Sequence, residues 1–149
     1  MGNKYWVKRE NVTPVAAQDL LTLISGANRR IRVLQIQIGG TGGSSAAQAM
    51  SASRSTGGTT PGGGITPSKA EHTDQPAANF TTATTWAAQP TLETNGLTLD
   101  WNALGGFAPW SAGPNRGVLE ARNGENISFR PPAGHTPQAC NLSVLVEED

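Results

Sequence analysis

Between Arg29 and Ile38 the chain alternates apolar and polar side chains: Leu34, Ile36 and Ile38 are separated by Gln35 and Gln37. A period of two sends successive side chains to opposite faces, so this segment predicts a half-buried β-strand. Ile31 and Val33 carry the opposite parity. The apolar face therefore switches between Val33 and Leu34, which a β-bulge or a second buried face explains. A second clear strand covers Cys140 to Val146. Its Cys140, Leu142, Val144 and Val146 point one way and Asn141, Ser143 and Leu145 the other. The acidic tail Glu147 to Asp149 is expected to end it.

Less regular versions of the pattern predict strands over Lys4 to Glu10, Leu20 to Ser25, Ala47 to Arg54, Phe80 to Ala87, Leu97 to Trp101, Gly117 to Arg122 and Asn126 to Arg130. Turn residues bound nearly all of them. Asp19-Leu20-Leu21 does not alternate and allows one helical turn, but Thr22-Leu23-Ile24-Ser25 before Gly26 reads as strand running into a turn. Pro131-Pro132-Ala133-Gly134 removes backbone donors and is expected to be a loop. From Gly39 to Pro76 the chain is rich in Gly, Ser, Thr, Ala and Pro and has few large apolar side chains. Such a stretch is either a long mobile loop or a segment that its neighbours order.

Eight or so short strands with β structure at both ends of the sequence predict an all-β domain. The expected architecture is a two-sheet antiparallel sandwich of jelly-roll or Greek-key type, with a Gly/Ser/Thr-rich loop region at about 39–76. An immunoglobulin-like sandwich is the alternative, without the paired cysteines often found there. The length, 149 residues, suits one domain, and 18 Gly, 10 Pro and a charged fraction of 15% suit many turns between short strands.

Charge and cysteine usage narrow the function. Eleven basic residues balance 11 acidic ones, so no net field attracts nucleic acid or an anionic membrane, and neither is expected as a partner. Cys140 is the single cysteine, which rules out an intrachain disulfide. The first ten residues contain no apolar signal core, and no stretch approaches the ~20 apolar residues that cross a bilayer. Trp6 stands where a myristoylation signal places Ser or Thr. The chain reads as made in the cytoplasm.

Candidate chemistry fails at named positions. Gly39-Gly40-Thr41-Gly42-Gly43-Ser44 follows a strand, as a dinucleotide-binding turn does, but Ser45 replaces the third glycine and no acidic ribose ligand occurs from Ser51 to Ser68. No glycine precedes a lysine, so a P-loop is absent. His72, beside Glu71 and Asp74, and His135 lie in loop sequence at a spacing that matches no zinc motif. No Gly-x-Ser-x-Gly elbow accompanies either histidine. Cys140 shares the apolar parity of Leu142 and reads as a small buried hydrophobe. Asn11, Asn79, Asn126 and Asn141 begin glycosylation sequons, which the absence of a signal peptide leaves without a transferase. The expectation is a protein with no catalytic residue, no metal and no cofactor.

Trp6, Trp86, Trp101 and Trp110 supply half of the eight aromatic residues. Trp101 shares parity with Leu97 and Leu99 and reads as core. Trp6 sits among Lys4, Lys8 and Arg9, and Trp110 closes the loop Phe107-Ala108-Pro109-Trp110. Aromatic side chains ringed by polar ones are typical interface anchors. Lys4, Trp6, Lys8, Arg9, Phe107 and Trp110 are therefore the candidate contact residues. On pattern alone Lys4 to Glu10 reads equally as an edge strand with a solvated charged face.

The order of segments carries a resemblance. An N-terminal strand leads to Asn11-Val12-Thr13-Pro14-Val15-Ala16-Ala17-Gln18-Asp19-Leu20 and then to Leu23-Ile24-Ser25-Gly26-Ala27-Asn28-Arg29-Arg30-Ile31-Arg32-Val33-Leu34-Gln35-Ile36. Gly113-Pro114-Asn115-Arg116-Gly117, Gly124-Glu125-Asn126-Ile127-Ser128-Phe129-Arg130 and a terminal strand ending at Glu147-Glu148-Asp149 follow. In this order the chain resembles the jelly-roll capsid decoration, or cement, proteins of tailed bacteriophages. The resemblance implies a virion structural protein on the outer capsid surface that bridges neighbouring major capsid protein subunits, commonly as a homotrimer. The competing expectation is a head-fibre or tail-fibre module that binds a receptor or carbohydrate through Trp86 or Trp110.

Overall fold

The structure is a computed structural model that describes residues 2–94, 96–113 and 119–149. Its strands are β1 (Asn3–Val12), β2 (Leu21–Ile24), β3 (Arg30–Gly40), β4 (Ala47–Thr56), β5 (Thr59–Gly62), β6 (Ser68–Lys69), β7 (Thr81–Ala83), β8 (Thr85–Ala88), β9 (Thr91–Leu92), β10 (Leu97–Asn102), β11 (Phe107–Ser111), β12 (Glu120–Arg122), β13 (Glu125–Arg130) and β14 (Cys140–Glu148). The fold is all-β, as expected. Two antiparallel sheets form the body. The first has the order β11-β3-β14-β1-β6, with β12 also pairing β3; the second has the order β10-β4-β13-β2-β7, with β9 also pairing β4. A separate two-stranded sheet joins β5 to β8.

Along the chain the eight strands that supply most of the core change sheet at almost every step. β1, β3, β11 and β14 belong to the first sheet, and β2, β4, β10 and β13 to the second. Only β4 to β10 stays within one sheet. The two inner faces therefore come from interleaved segments, and the core cannot close until both ends of the chain are in place. From the first sheet come Tyr5, Val7, Ile31, Val33, Ile36, Ile38, Leu142, Val144 and Val146; from the second come Leu21, Leu23, Met50, Ala52, Leu99, Trp101, Ile127 and Phe129, all in one buried cluster. Tyr5 and Phe80 meet edge to face, with ring centroids 5.7 Å apart, and the Tyr5 hydroxyl donates to the Pro76 carbonyl.

The parity switch in β3 is a bulge. Val146 pairs with Val33 but Leu145 pairs with Gln35, so Leu34 is the extra residue. This shift lets Ile31 and Val33 before it and Ile36 and Ile38 after it reach the same core. Cys140 is fully buried, as its parity implies. Burial, only partly offset by nearby Arg9, pushes its thiol up to about 11, so it sits in the core as a neutral hydrophobe.

Several boundaries differ from the sequence reading, each for a physical reason. β14 does not stop at Val146 but continues through Glu147 and Glu148, both buried. Arg32 pairs with Glu147 across the sheet, and the Asn79 backbone N–H donates to Glu148. Phe107 to Trp110, expected as a loop, forms β11; Pro109 is tolerated because β11 is an end strand. Phe80 to Ala87 is not one strand: β7 pairs β2 while β8 leaves for the separate two-stranded sheet. In the Gly-rich region 39–76, β4 crosses the centre of the second sheet and β5 and β6 are short strands. Gly117, where the β12 segment was expected to begin, lies outside the described residues, as does Pro114 to Arg116 of the resemblance.

Candidate functional site

The outward faces of the two sheets differ, and the open one belongs to the first sheet. Pairing register lays its outward side chains out in rows. One row runs Ser68, Trp6, Leu145, Gln35, Ser111; the next runs Lys8, Ser143, Gln37, Pro109; the last carries Asn141, Gly39 and Phe107. Among the described residues no other strand pairs over them. Trp6, Lys8, Gln37, Ser68 and Ser143 line a shallow cleft of about 300 Å³.

A charged row borders this face. Lys4, Glu147, Arg32 and Glu120 lie across neighbouring strands. Arg32 bridges Glu120 at 3.2 Å and Glu147 at 3.3 Å, and Arg30 pairs with Asp149. The hydrogen bond from Arg30 holds the Asp149 carboxyl below the usual range, against the desolvation that would raise it. At Glu120 burial pulls upward most strongly, but hydrogen bonds from Arg122 and Arg32 outweigh it and the carboxyl is lowered. These charges are spent on one another and on fixing the C-terminus.

The predicted contact residues separate into two groups. Lys4, Trp6, Lys8 and Phe107 share the open face. Lys4 is tied to Glu71 at 2.5 Å, whereas Lys8 has only a 3.8 Å contact with Glu10. Arg9 turns to the rim, where its guanidinium donates to the Leu20 carbonyl. Trp110 carries the inward parity of Ala108 and packs partly buried against the core. Trp101 is core, 8% exposed, and its indole N–H is buried without a partner.

One functional candidate escaped the sequence reading. Leu104, in the turn between β10 and β11, is 59% exposed and Phe107 beside it 60%, two of the three large hydrophobic side chains open to solvent among the described residues. The turn that carries them is well fixed: the Asn102 side chain accepts from the Leu104 N–H, the Gly106 N–H donates to the Asn102 carbonyl, and the Gly40 N–H donates to the Gly106 carbonyl. The only signal in the sequence is two large apolar residues either side of Gly105-Gly106, where a turn would ordinarily be polar.

The second sheet's outward face is covered instead. Thr22, Ser53, Ser55 and Ser128 carry the outward parity yet are buried. Asp19 sits among them: the Thr22 and Ser128 hydroxyls each donate to it at 2.6 Å and the Arg130 guanidinium at 2.6 Å. The Ser55 and Ser128 hydroxyls share a hydrogen bond of 2.7 Å. Trp86, from β8, caps the cluster by donating its indole N–H to the Thr22 hydroxyl at 2.8 Å. Gly58 lies on the Trp86 ring with φ +88°, and a Cβ there would come within 2.7 Å of it, so both the backbone and the space call for glycine.

Among the described residues no group of three His, Cys, Asp or Glu side chains converges as a metal set. His72 lies in the exposed loop between Glu71 and Thr73. His135 is half-buried, its Nε2 without a partner. Comparison with protein-family models, with curated proteins and with solved structures finds no match for this chain.

Proposed function

We propose that this chain is a virion structural protein, a capsid decoration protein that sits on the outer capsid surface and bridges neighbouring major capsid protein subunits without catalysis or cofactor. The observation that carries the reading is the rigid, solvent-open pair Leu104 and Phe107 at one end of the sandwich. Large apolar side chains presented on a fixed turn form the anchor of a protein contact, because their burial gains solvent entropy and loses little chain entropy.

The strand order supports the architecture the resemblance implies. Numbering the eight strands β1, β2, β3, β4, β10, β11, β13 and β14 in chain order, the sheets run first-eighth-third-sixth and second-seventh-fourth-fifth. This order favours a jelly roll, in which two Greek keys fold together. β10 and β11 end their sheets side by side, and an end strand leaves backbone donors and acceptors for a neighbour to pair. Self-association along this side gives the homotrimer, with Leu104 and Phe107 of each copy directed at the shell.

Co-sedimentation with capsids lacking the protein tests the reading. The wild-type chain is expected to pellet with them and raise their melting temperature, and the double variant Leu104→Ser, Phe107→Ser to remain in solution while still folded. Failure of the wild-type chain to associate at every salt concentration would overturn it.

A further inference from the structure

The cleft around Trp6 has a composition that the docking turn does not share. Trp6 is half-buried near the β6 end of its row, with Ser68 directly across on one side and Leu145 on the other. In the next row Lys8, Ser143 and Gln37 stand side by side. Together with Ser68 and Trp6 they line the cleft. Among the described residues no protein hydrogen bond engages the side chains of Trp6, Gln37, Ser68 or Ser143, or of Gln35 further along the row of Trp6. The cleft therefore offers an indole, an amide that both donates and accepts, two hydroxyls and one ammonium, all but Ser68 held on β1, β3 and β14, whose other faces are locked in the core.

We infer that this cleft is a binding site for a pyranose unit of a neutral glycan. A sugar ring presents C–H groups on one face and hydroxyls around its edge. The flat apolar surface of an indole matches the first, and side chains that both donate and accept match the second. No acidic side chain lines the cleft, and Glu10 beyond its lining lies 3.8 Å from the Lys8 ammonium and partly offsets its charge, so Lys8 serves as a hydrogen-bond donor more than as an anion trap. A protein partner is a poorer match, since the polar side chains of so small a recess would each need a placed counterpart. Trp86 and Trp110 do not offer the same chemistry: one is bonded to Thr22 over a covered face and the other packs toward the core.

The site is independent of the docking turn. β1 and β11 are separated by two intervening strands, about 14 Å at the usual strand spacing, and Trp6 and Phe107 also lie in different rows. A chain fixed to a shell through Leu104 and Phe107 would keep the Trp6 corner available.

A glycan array of neutral and sulfated oligosaccharides, probed with the full-length chain and followed by calorimetry with the oligosaccharides it retains, tests the inference. The expected result is retention of neutral pyranose oligosaccharides, with affinity falling about tenfold or more in Trp6→Ala and Gln37→Ala. Both variants should keep the wild-type melting temperature within a few degrees. Trp110→Ala, which also checks the alternative platform, should bind as wild type does. Absence of any neutral hit, retention confined to sulfated glycans and abolished by salt, or undiminished binding in Trp6→Ala would each overturn it. Capsid co-sedimentation of Trp6→Ala remains that of wild type in this account, so failure of the glycan site and failure of the docking reading give different results.

Discussion

Trp6 and Trp86 stand on the outward faces of the two sheets and show how differently one sandwich treats its two outsides. Around Trp86 the polar side chains of the face are buried and bonded to one another: Asp19 is shared by Thr22, Ser128 and Arg130, and Trp86 of the two-stranded β5–β8 sheet lies over them. Around Trp6 the side chains of Gln35, Gln37, Ser68 and Ser143 face outward and, among the described residues, make no protein hydrogen bond. A covered polar face must satisfy every group it hides, whereas an open one keeps its groups for water or a ligand. The comparison assigns stability to the first face and recognition to the second.

The largest test of that division is Asp19→Ala. It leaves the Arg130 guanidinium and two hydroxyls without their acceptor in a buried site, and breaking a buried ion pair of this kind costs about 3 kcal/mol or more. Urea denaturation should read a lowered midpoint of that size, while docking and glycan binding at native temperature persist. Substituting each tryptophan sharpens the contrast with a smaller effect. Trp86→Ala removes the cap and uncovers Thr22, for an expected loss of about 2 kcal/mol. Trp6→Ala, on the open face, should cost below about 1 kcal/mol. Thermal melts of the two variants side by side check this, and equal losses would mean that the faces are alike.

How far the sequence foretold this depends on whether a signal is local. β3 and the start of β14 were legible because their alternation is a direct record of one buried face, and the shift at Val33 and Leu34 marked the bulge. The end of β14 was not: Glu147 and Glu148 are buried because Arg32 and Asn79 meet them, and those partners are distant in sequence. The Gly-rich segment misled in a similar way. Gly58 orders against Trp86 of β8, so what looked like a stretch short of core residues supplies the space another segment's indole fills. Of the predicted contact residues, Lys4, Trp6 and Lys8 followed from strand parity, as alternate positions of one strand must share a face. Arg9 lies at a rim and Trp110 faces inward because of register that no local pattern encodes. Leu104 was passed over since a single apolar residue in a turn has no periodicity to notice.

The most direct test of the division is hydroxyl-radical footprinting of the chain, free and bound to capsids. The account predicts that Leu104 and Phe107 lose labelling on binding while Trp86 and the residues it covers keep their free-state values. Protection at Trp86 with Leu104 and Phe107 still labelled would contradict it, and would place recognition on the face assigned here to stability.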